Sequence, residues 1–397
     1  MNKTCQAESA KASCPACKHD ASYLGSWLYS GLNDSVFNYT AFYFSCNYCG
    51  MLFIDNITED QLTAFYSNEC DYAQKDHFDA THPKNVSKFE HYHAALAGLE
   101  LSGKTISDVG CGRGGFIRWL AHQDSTLDCV GVDIDLASLP TKDFQATNLR
   151  FENGFVNNLP FENGSVDVIT CFHVLEHLKH LDKALSEIAR TLKDSGYLLL
   201  EVPDAERYEE FLTGPDYWFA IREHINHFTP EALSCALESA GFEICEIKRG
   251  VLPTPEFEYP SLMIMAKKAS VEQMSFEHKP FNKSSLLPGV FKKAQLALIE
   301  QADRIKNRVG DSQTVLWGCS NEFYSLVPLL LKHSIDVLIC DASRKKQQAR
   351  YQQLPIHDPK QAPTTGKLVV VPYLYSEVIY NAAIQLGWQP DAIYLVN

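Results

Sequence analysis

Apolar and polar positions divide the chain into segments of different texture. From about residue 85, short apolar runs typical of strands alternate with stretches that have the period of amphipathic helices. The strand-like runs include KTISDVG, LDCVGVDI, SVDVITCF and GYLLLEVP, and the helical stretches include FIRWLAHQ and LDKALSEIARTLK. This alternation predicts βαβ units built around a parallel sheet.

The segments on either side of this region differ from it. Before residue 80 the chain is rich in Cys, Asn, Tyr and Phe and has little helical period, so we expect few regular elements there. Residues 269 to about 290 have no clear period, and a smaller α/β pattern runs from TVLWGC to AIYLVN after an amphipathic helix. We therefore predict three units: a cysteine-rich head at 1–80, an α/β domain at 81–268, and a linker helix with a smaller Rossmann-like α/β domain at 269–397.

Charge and composition narrow the classes of partner. The chain has 35 Lys and Arg against 49 Asp and Glu, a net charge of -14, which disfavours nucleic acid and anionic membranes as partners. The N-terminus lacks the apolar core of a signal peptide, and no run reaches about 18 apolar residues. The 13 cysteines, an odd number, favour reduced thiols and metal ligands over disulfides. We expect a cytoplasmic protein that acts on a small molecule.

The strongest motif is the glycine-rich segment DVGCGRGGF, which begins at Asp108 and lies where an apolar strand turns into a helix. Gly110, Gly112 and Gly114 allow the backbone to turn sharply and to approach a ligand where a Cβ would collide. A second strand, CVGVD, ends in Asp133, 19 residues beyond Gly114. An acid at that position suits the vicinal hydroxyls of a ribose, so the pair of features predicts a nucleoside-containing ligand.

Several segments together resemble class I S-adenosylmethionine (SAM) dependent methyltransferases. They are D-x-G-x-G-x-G at Asp108, NNLPFENGSVDVI followed by CFHVLEHL, and LKDSGYLLLEVP, and the resemblance covers roughly residues 85 to 267. It implies a Rossmann-like domain with SAM as cofactor. It also implies that Asp108 and the glycine loop meet the amino-acid part of SAM, that Asp133 holds the ribose, and that Phe172 and His173 lie near the cofactor.

One position departs from that family. Its members often carry an acid in the segment G-D-A-x-x-L-P-F, where the carboxylate takes the adenine amino group. This chain reads G-F-V-N-N-L-P-F, with Phe155 at that position. We therefore expect adenine to be held by stacking and by backbone contacts.

The head contains two C-x2-C pairs, Cys14 with Cys17 and Cys46 with Cys49, separated by 28 residues. Four thiolates at this spacing can bind one tetrahedral Zn²⁺ and leave no open position for chemistry. We expect a structural zinc ion that contributes to the folding of the head. Unrelated free thiols, a redox role for CPAC, and a zinc ribbon that binds nucleic acid are the alternatives.

The order of head, SAM domain and α/β tail resembles the sugar C-methyltransferases, which act on nucleotide-linked 4-keto-deoxysugars. The segment CNYCGMLFID resembles the end of their zinc-binding domain, and the tail from VLWGCS resembles their C-terminal domain. The resemblance implies a role in sugar biosynthesis and a nucleotide sugar as the methyl acceptor.

In that family a Glu-His pair after the fifth strand supplies a base, and the matching residues here are Glu223 and His224. A ketone acidifies the neighbouring C–H, which a positioned base can deprotonate. The expectation is that His224 is the base and that Glu223 orients it or substitutes for it. His177 and Tyr72 are expected as polar neighbours, and Ile221 replaces the tyrosine usual in the family.

Other interpretations of these residues stay open at this point. His224 could instead cap the helix that begins near Thr229, His177 could pack a helix start, and Glu176 is expected to be a local hydrogen-bond partner. At the level of function, the alternatives are an O- or N-methyltransferase for another small metabolite and a SAM-binding protein without catalysis.

Overall fold

A computed structural model describes the protein over residues 11–69, 81–136, 139, 146–211, 214–255, 257–269 and 285–396. The described residues form three β-sheets of five, seven and six strands. None of the helices in this part of the chain combines the length and the apolar character that crossing a bilayer requires.

The first sheet is antiparallel and has the order β1-β2-β3-β4-β10. Its strands are β1 (Lys11–Ser13), β2 (Asp20–Leu28), β3 (Thr40–Cys46), β4 (Leu52–Ile54) and β10 (Asn226–His227), and helix α1 (Glu59–Asn68) follows β4. The expectation of few regular elements before residue 80 was therefore wrong. Most of β3 is buried on both faces, so the aromatic-rich run TAFYFSC lacks the alternation that reveals a half-buried strand.

The second sheet has the order β7-β6-β5-β8-β9-β12-β11. Its strands are β5 (Thr105–Val109), β6 (Asp128–Asp133), β7 (Leu149–Asn153), β8 (Val166–Phe172), β9 (Leu192–Pro203), β11 (Phe242–Pro253) and β12 (Glu258–Lys268). Strand β12 pairs antiparallel with both β9 and β11, and the other pairs of this sheet are parallel. The helices of this region are α2 (Pro83–Ala95), α3 (Gly115–Gln123), α4 (Leu181–Thr191), α5 (Gly214–Ala220) and α6 (Pro230–Ser239). The predicted α/β architecture, a Rossmann-like domain, is confirmed.

The strand order of this sheet reverses between β5 and β8, which are hydrogen-bonded neighbours. The segments that follow these two strands leave in opposite directions, and a crevice opens between them at the carboxyl ends of the strands. The glycine loop follows β5 and the HVLEH segment follows β8. The fold therefore brings two segments predicted from sequence to the same edge of one sheet.

The third sheet lies in the tail and has the order β15-β16-β14-β13-β17-β18, parallel except at β15. Its strands are β13 (Thr314–Trp317), β14 (Val337–Cys340), β15 (Arg350–Tyr351), β16 (Leu354–His357), β17 (Lys367–Val370) and β18 (Ile393–Leu395). The helices are α7 (Leu287–Val309), α8 (Asn321–Lys332), α9 (Arg344–Gln347) and α10 (Ser376–Gln385). The tail also contacts the head, because Trp27 Nε1 donates to Ser325 Oγ at 2.9 Å.

Candidate active site

The three glycines of the loop after β5 all have positive φ angles, of 73°, 54° and 71° for Gly110, Gly112 and Gly114. Their surroundings differ. A Cβ on Gly110 would lie 2.4 Å from a methyl carbon of Val174, and one on Gly114 would lie 2.6 Å from the ring of Phe151. A Cβ on Gly112 would meet no protein atom within 4 Å. Packing therefore requires the outer glycines, whereas the middle glycine faces open space in which a ligand can lie.

Asp133 is tied to the loop at the end of β6. Its Oδ2 accepts from the Gly112 N–H at 2.8 Å, and its backbone carbonyl accepts from the Gly154 N–H at 3.1 Å. Two apolar side chains next to these anchors are unusually exposed, Ile134 at 42% and Phe155 at 49%. Asp133, the residue predicted to bind the ribose, therefore lies close to Ile134 and Phe155. Phe155 is also the residue predicted to contact the adenine end of the cofactor.

Asp108 lies at the carboxyl end of β5 and is buried. Thr170 Oγ1 donates to its Oδ1 at 2.7 Å. Burial raises the pKa of Asp108 to about 7, and the hydrogen bond from Thr170 opposes part of that rise. A cation bound nearby would stabilise the ionised carboxylate, so this position suits the ammonium end of an amino acid.

The end of β8 supplies the next two predicted residues, Phe172 and His173. The Phe172 ring stacks on Tyr92 with centroids 3.7 Å apart. His173 has a φ of 56°, and its Nδ1 lies 3.2 Å from Glu176 Oε1 while its Nε2 lies 3.6 Å from Glu201 Oε1. Burial lowers the pKa of His173, but the interactions with the two carboxylates outweigh it and raise the pKa to about 9. His173 is therefore held between two buried acids at the end of β8.

The predicted catalytic residues meet around His177. The His177 Nδ1–H donates to the backbone carbonyl of Glu223 at 3.0 Å, and its ring packs edge-on against His224 with centroids 4.9 Å apart. Burial, and then the neighbouring His177, hold the pKa of His224 well below its usual value. Glu176 lies beside this group, because its backbone carbonyl accepts from the Ile225 N–H at 2.9 Å. The structure thus brings together Glu176, His177, Glu223 and His224 from segments that are 46 residues apart.

Two interpretations left open by the sequence can now be decided. The cap of α6 is Thr229, whose Oγ1 accepts from the Ala232 N–H at 3.0 Å, so His224 is not the capping residue. Glu176 accepts from His173, as a local hydrogen-bond partner would. Tyr72 lies outside the described residues.

Glu201 belongs to this site but is not among the residues predicted from the sequence. Its carboxylate is fully buried on β9 and faces His173. A signal for it exists, because Glu201 is the one charged residue in the otherwise apolar run LLLEVP. A carboxylate in a buried strand is rare without a partner, so this pattern predicts a polar or cationic side chain at the adjoining strand end.

The two C-x2-C pairs of the head, Cys14 with Cys17 and Cys46 with Cys49, form one buried cluster. The Sγ atoms of Cys14 and Cys49 lie 3.6 Å apart, and those of Cys17 and Cys46 lie 3.4 Å apart. Tetrahedral Zn–S bonds of about 2.3 Å place sulfur atoms about 3.8 Å apart, so the cluster fits a four-thiolate metal site. The backbone folds similarly at both pairs, since the Lys18 N–H donates to the Cys14 carbonyl and the Gly50 N–H donates to the Cys46 carbonyl.

The cysteine cluster is connected to the segment that carries Glu223 and His224. Strand β10 pairs with β4, with His227 opposite Leu52. The Thr229 hydroxyl donates to the Cys49 carbonyl at 2.9 Å. The head therefore supports the polypeptide directly after the predicted catalytic pair.

Known proteins similar to this chain match it in the middle domain. Residues 84–247 match the model of a family described as a methyltransferase domain. An uncharacterized methyltransferase, YcgJ of Bacillus subtilis, is 35% identical over 100 residues, which are 24% of this chain and 39% of that protein. A phthiotriol/phenolphthiotriol dimycocerosates methyltransferase of Mycobacterium ulcerans is 33% identical over 110 residues, 27% of this chain and 41% of that protein. The chain thus spans about two fifths of the length of these curated relatives.

The solved structure of the Bacillus subtilis YcgJ protein is 18% identical to this chain, with a TM-score of 0.37, and the match covers 46% of this chain and 99% of that one. The family match confirms the predicted methyltransferase domain.

Proposed function

We propose that the protein is a SAM-dependent methyltransferase that methylates a carbon atom of a nucleotide-linked 4-keto-deoxysugar. One observation carries the proposal. The glycine loop packs on the side chain of Val174, His177 follows three residues later, and His177 contacts both Glu223 and His224. An open loop for the cofactor and a buried acid–histidine pair for the acceptor therefore belong to adjacent segments.

The cofactor would occupy the crevice at the carboxyl ends of β5, β6 and β8. SAM supplies an electrophilic methyl group on a sulfonium. Asp108 would face the ammonium group of SAM, and the open space at Gly112 would hold the amino-acid part. Asp133 would accept hydrogen bonds from the ribose hydroxyls of SAM. Ile134 and Phe155 would cover the two faces of the adenine, which compensates for the missing acid at position 155.

Carbon methylation needs a base, and Glu223 and His224 together would supply it. A carbonyl makes the adjacent C–H acidic, and the base takes that proton while the C–H electron pair forms the enolate. The enolate carbon then attacks the methyl group in line, and the electrons of the broken C–S bond stay on sulfur. Both side chains of the pair are buried, so the base acts where water is excluded and its interactions are stronger.

The sugar acceptor is supported by the order of head, methyltransferase domain and tail, and by contacts that join all three at the pair. Arg222 precedes Glu223, and its guanidinium lies 4.0 Å above the ring of Tyr324 in the tail while donating to the Ser30 carbonyl in the head at 2.8 Å. A bulky nucleotide sugar would need surfaces beyond the methyltransferase domain. In the head, Cys14, Cys17, Cys46 and Cys49 would bind a structural Zn²⁺ that stabilises this arrangement.

The test is mass spectrometry of a pool of nucleotide 4-keto-deoxysugars incubated with the protein and methyl-labelled SAM. We expect a sugar that carries the label on carbon, and at least 100-fold less of it with Glu223→Gln or His224→Asn. The matched control is His180→Asn, a half-exposed histidine close in sequence. If protein that binds SAM labels no sugar but labels an oxygen or nitrogen of another metabolite, the carbon methylation is refuted and the O- or N-methyltransferase alternative replaces it.

A further inference from the structure

We infer that Glu176, His177 and His224 form a second metal site, which binds a divalent cation with open coordination positions. One ligand atom from each side chain lies within 4.8 Å of the others. Metal–ligand bonds of about 2.1 Å require ligand atoms about 3 to 4 Å apart, so modest side-chain rotations close the site. This site differs in chemistry from the cysteine cluster, which offers four sulfur atoms and no open position.

The orientation of the ligands supports this inference. His177 donates its Nδ1–H to the Glu223 carbonyl, which fixes the tautomer and leaves the Nε2 lone pair available, 4.0 Å from Glu176 Oε1. His173 in turn donates to Glu176 Oε1 at 3.2 Å. Metal-binding imidazoles and carboxylates are held by outer hydrogen bonds of this kind. His177 and Glu176 thus each have an outer hydrogen-bond partner that holds the side chain next to the other.

Unsatisfied polar atoms give a second, independent reason. Glu176 is 1% exposed and His224 is 4% exposed. Glu176 Oε2 and His224 Nδ1 are both buried and have no hydrogen-bond partner among the described residues. An unpaired buried polar atom costs about 1–3 kcal/mol, and native proteins rarely leave several in one cluster. A cation bound by these side chains would give these buried oxygen and nitrogen atoms a partner.

The ligand set indicates the class of ion. Two imidazoles and one carboxylate suit Mn²⁺, Fe²⁺ or Zn²⁺, and three protein ligands leave positions for water or substrate. The ion's role rests on the proposed function: it would hold the acceptor's carbonyl oxygen and stabilise the negative charge that develops there. His224 would then bind the metal and could not act as the base. Glu223 would therefore remove the proton from the acceptor.

The test uses Mn²⁺ as the probe and the full chain carrying one equivalent of zinc, the amount that the cysteine cluster would bind and too little to fill both sites. Thiolate clusters disfavour Mn²⁺, so the cysteine site does not compete. Titration followed by electron paramagnetic resonance of free Mn²⁺ should show one bound equivalent. Glu176→Gln and His224→Asn should each weaken this binding at least tenfold, whereas the control His180→Asn should bind as the wild type does.

Folding is checked in the same samples by zinc content, which should stay at one equivalent in all variants. The inference is overturned if the wild type binds no Mn²⁺ at millimolar concentration, or if both variants bind it as the wild type does. The titration contains neither SAM nor acceptor. A failed metal site therefore leaves the sugar methylation to its own test, and failure of that test leaves the Mn²⁺ result standing.

Discussion

The substitution Gly112→Ala tests whether the glycine loop contacts a ligand. Gly112 has a φ of 54°, and a Cβ there meets no protein atom within 4 Å. The variant therefore carries only the left-handed backbone strain of a non-glycine residue, about 1–2 kcal/mol. Gly103, in the exposed loop before β5, offers the same circumstances, with a φ of 70° and no atom within 4 Å of a Cβ. Gly103→Ala is thus a matched control for strain.

The two variants should lose the same free energy of unfolding, measured by chemical denaturation, but differ in cofactor affinity. If SAM fills the space at Gly112, an added methyl group displaces it and weakens binding at least tenfold, which is about 1.4 kcal/mol. Isothermal titration calorimetry with S-adenosylhomocysteine, the stable product, measures this directly. Equal affinities for Gly112→Ala and Gly103→Ala, at equal stability, would refute the assignment of the loop to the cofactor.

Three further perturbations have expected outcomes. Burial raises the pKa of Asp108 to about 7 in the folded state, so its contribution to stability is complete below the unfolded pKa and is lost as pH rises through the folded pKa. Relative to Asp108→Asn, the wild type should lose about 2.6 kcal/mol of unfolding free energy between pH 5 and 8, and parallel pH curves would contradict this. Cys17→Ser should reduce zinc to under half an equivalent, measured by metal analysis, and should lower the melting temperature, because three thiolates leave a tetrahedral site incomplete. Full zinc content would contradict this prediction. Arg222→Lys should lower the unfolding free energy by about 1–2 kcal/mol in urea, because lysine cannot both stack on Tyr324 and donate as the planar guanidinium does; unchanged stability would contradict it.

Local sequence predicted the elements whose signals are local. Strand β5 and the helix after it were predicted from an apolar run followed by glycines, and the structure has them at Thr105–Val109 and Gly115–Gln123. The acid at the end of β6 followed from the same pattern. These features depend on backbone turns and side-chain periods within about 30 residues, which a sequence displays directly.

Features that depend on distant pairing were not predictable in this way. Strand β10 has only two residues and exists because β4, more than 170 positions earlier, pairs with it. Strands β3 and β4 of the head are mostly buried on both faces by packing against other parts of the chain, so their sequences show no alternation. The contact between His177 and the carbonyl of Glu223 depends on how two loops meet, and a motif search names the residues without giving the contact.

The segment from residue 221 to 229 explains why a methyltransferase domain would be joined to a head and a tail. Its first part is held by Arg222, which stacks on the tail and donates to the head. Its last part is held by the pairing of β10 with β4 and by the bond from Thr229 to the Cys49 carbonyl. A loop carrying catalytic side chains must be fixed to within a fraction of an ångström, and neighbours outside the domain can supply that rigidity. Since Cys49 belongs to the cysteine cluster, a metal ion there would order the backbone that positions Glu223 and His224, although it takes no part in the chemistry.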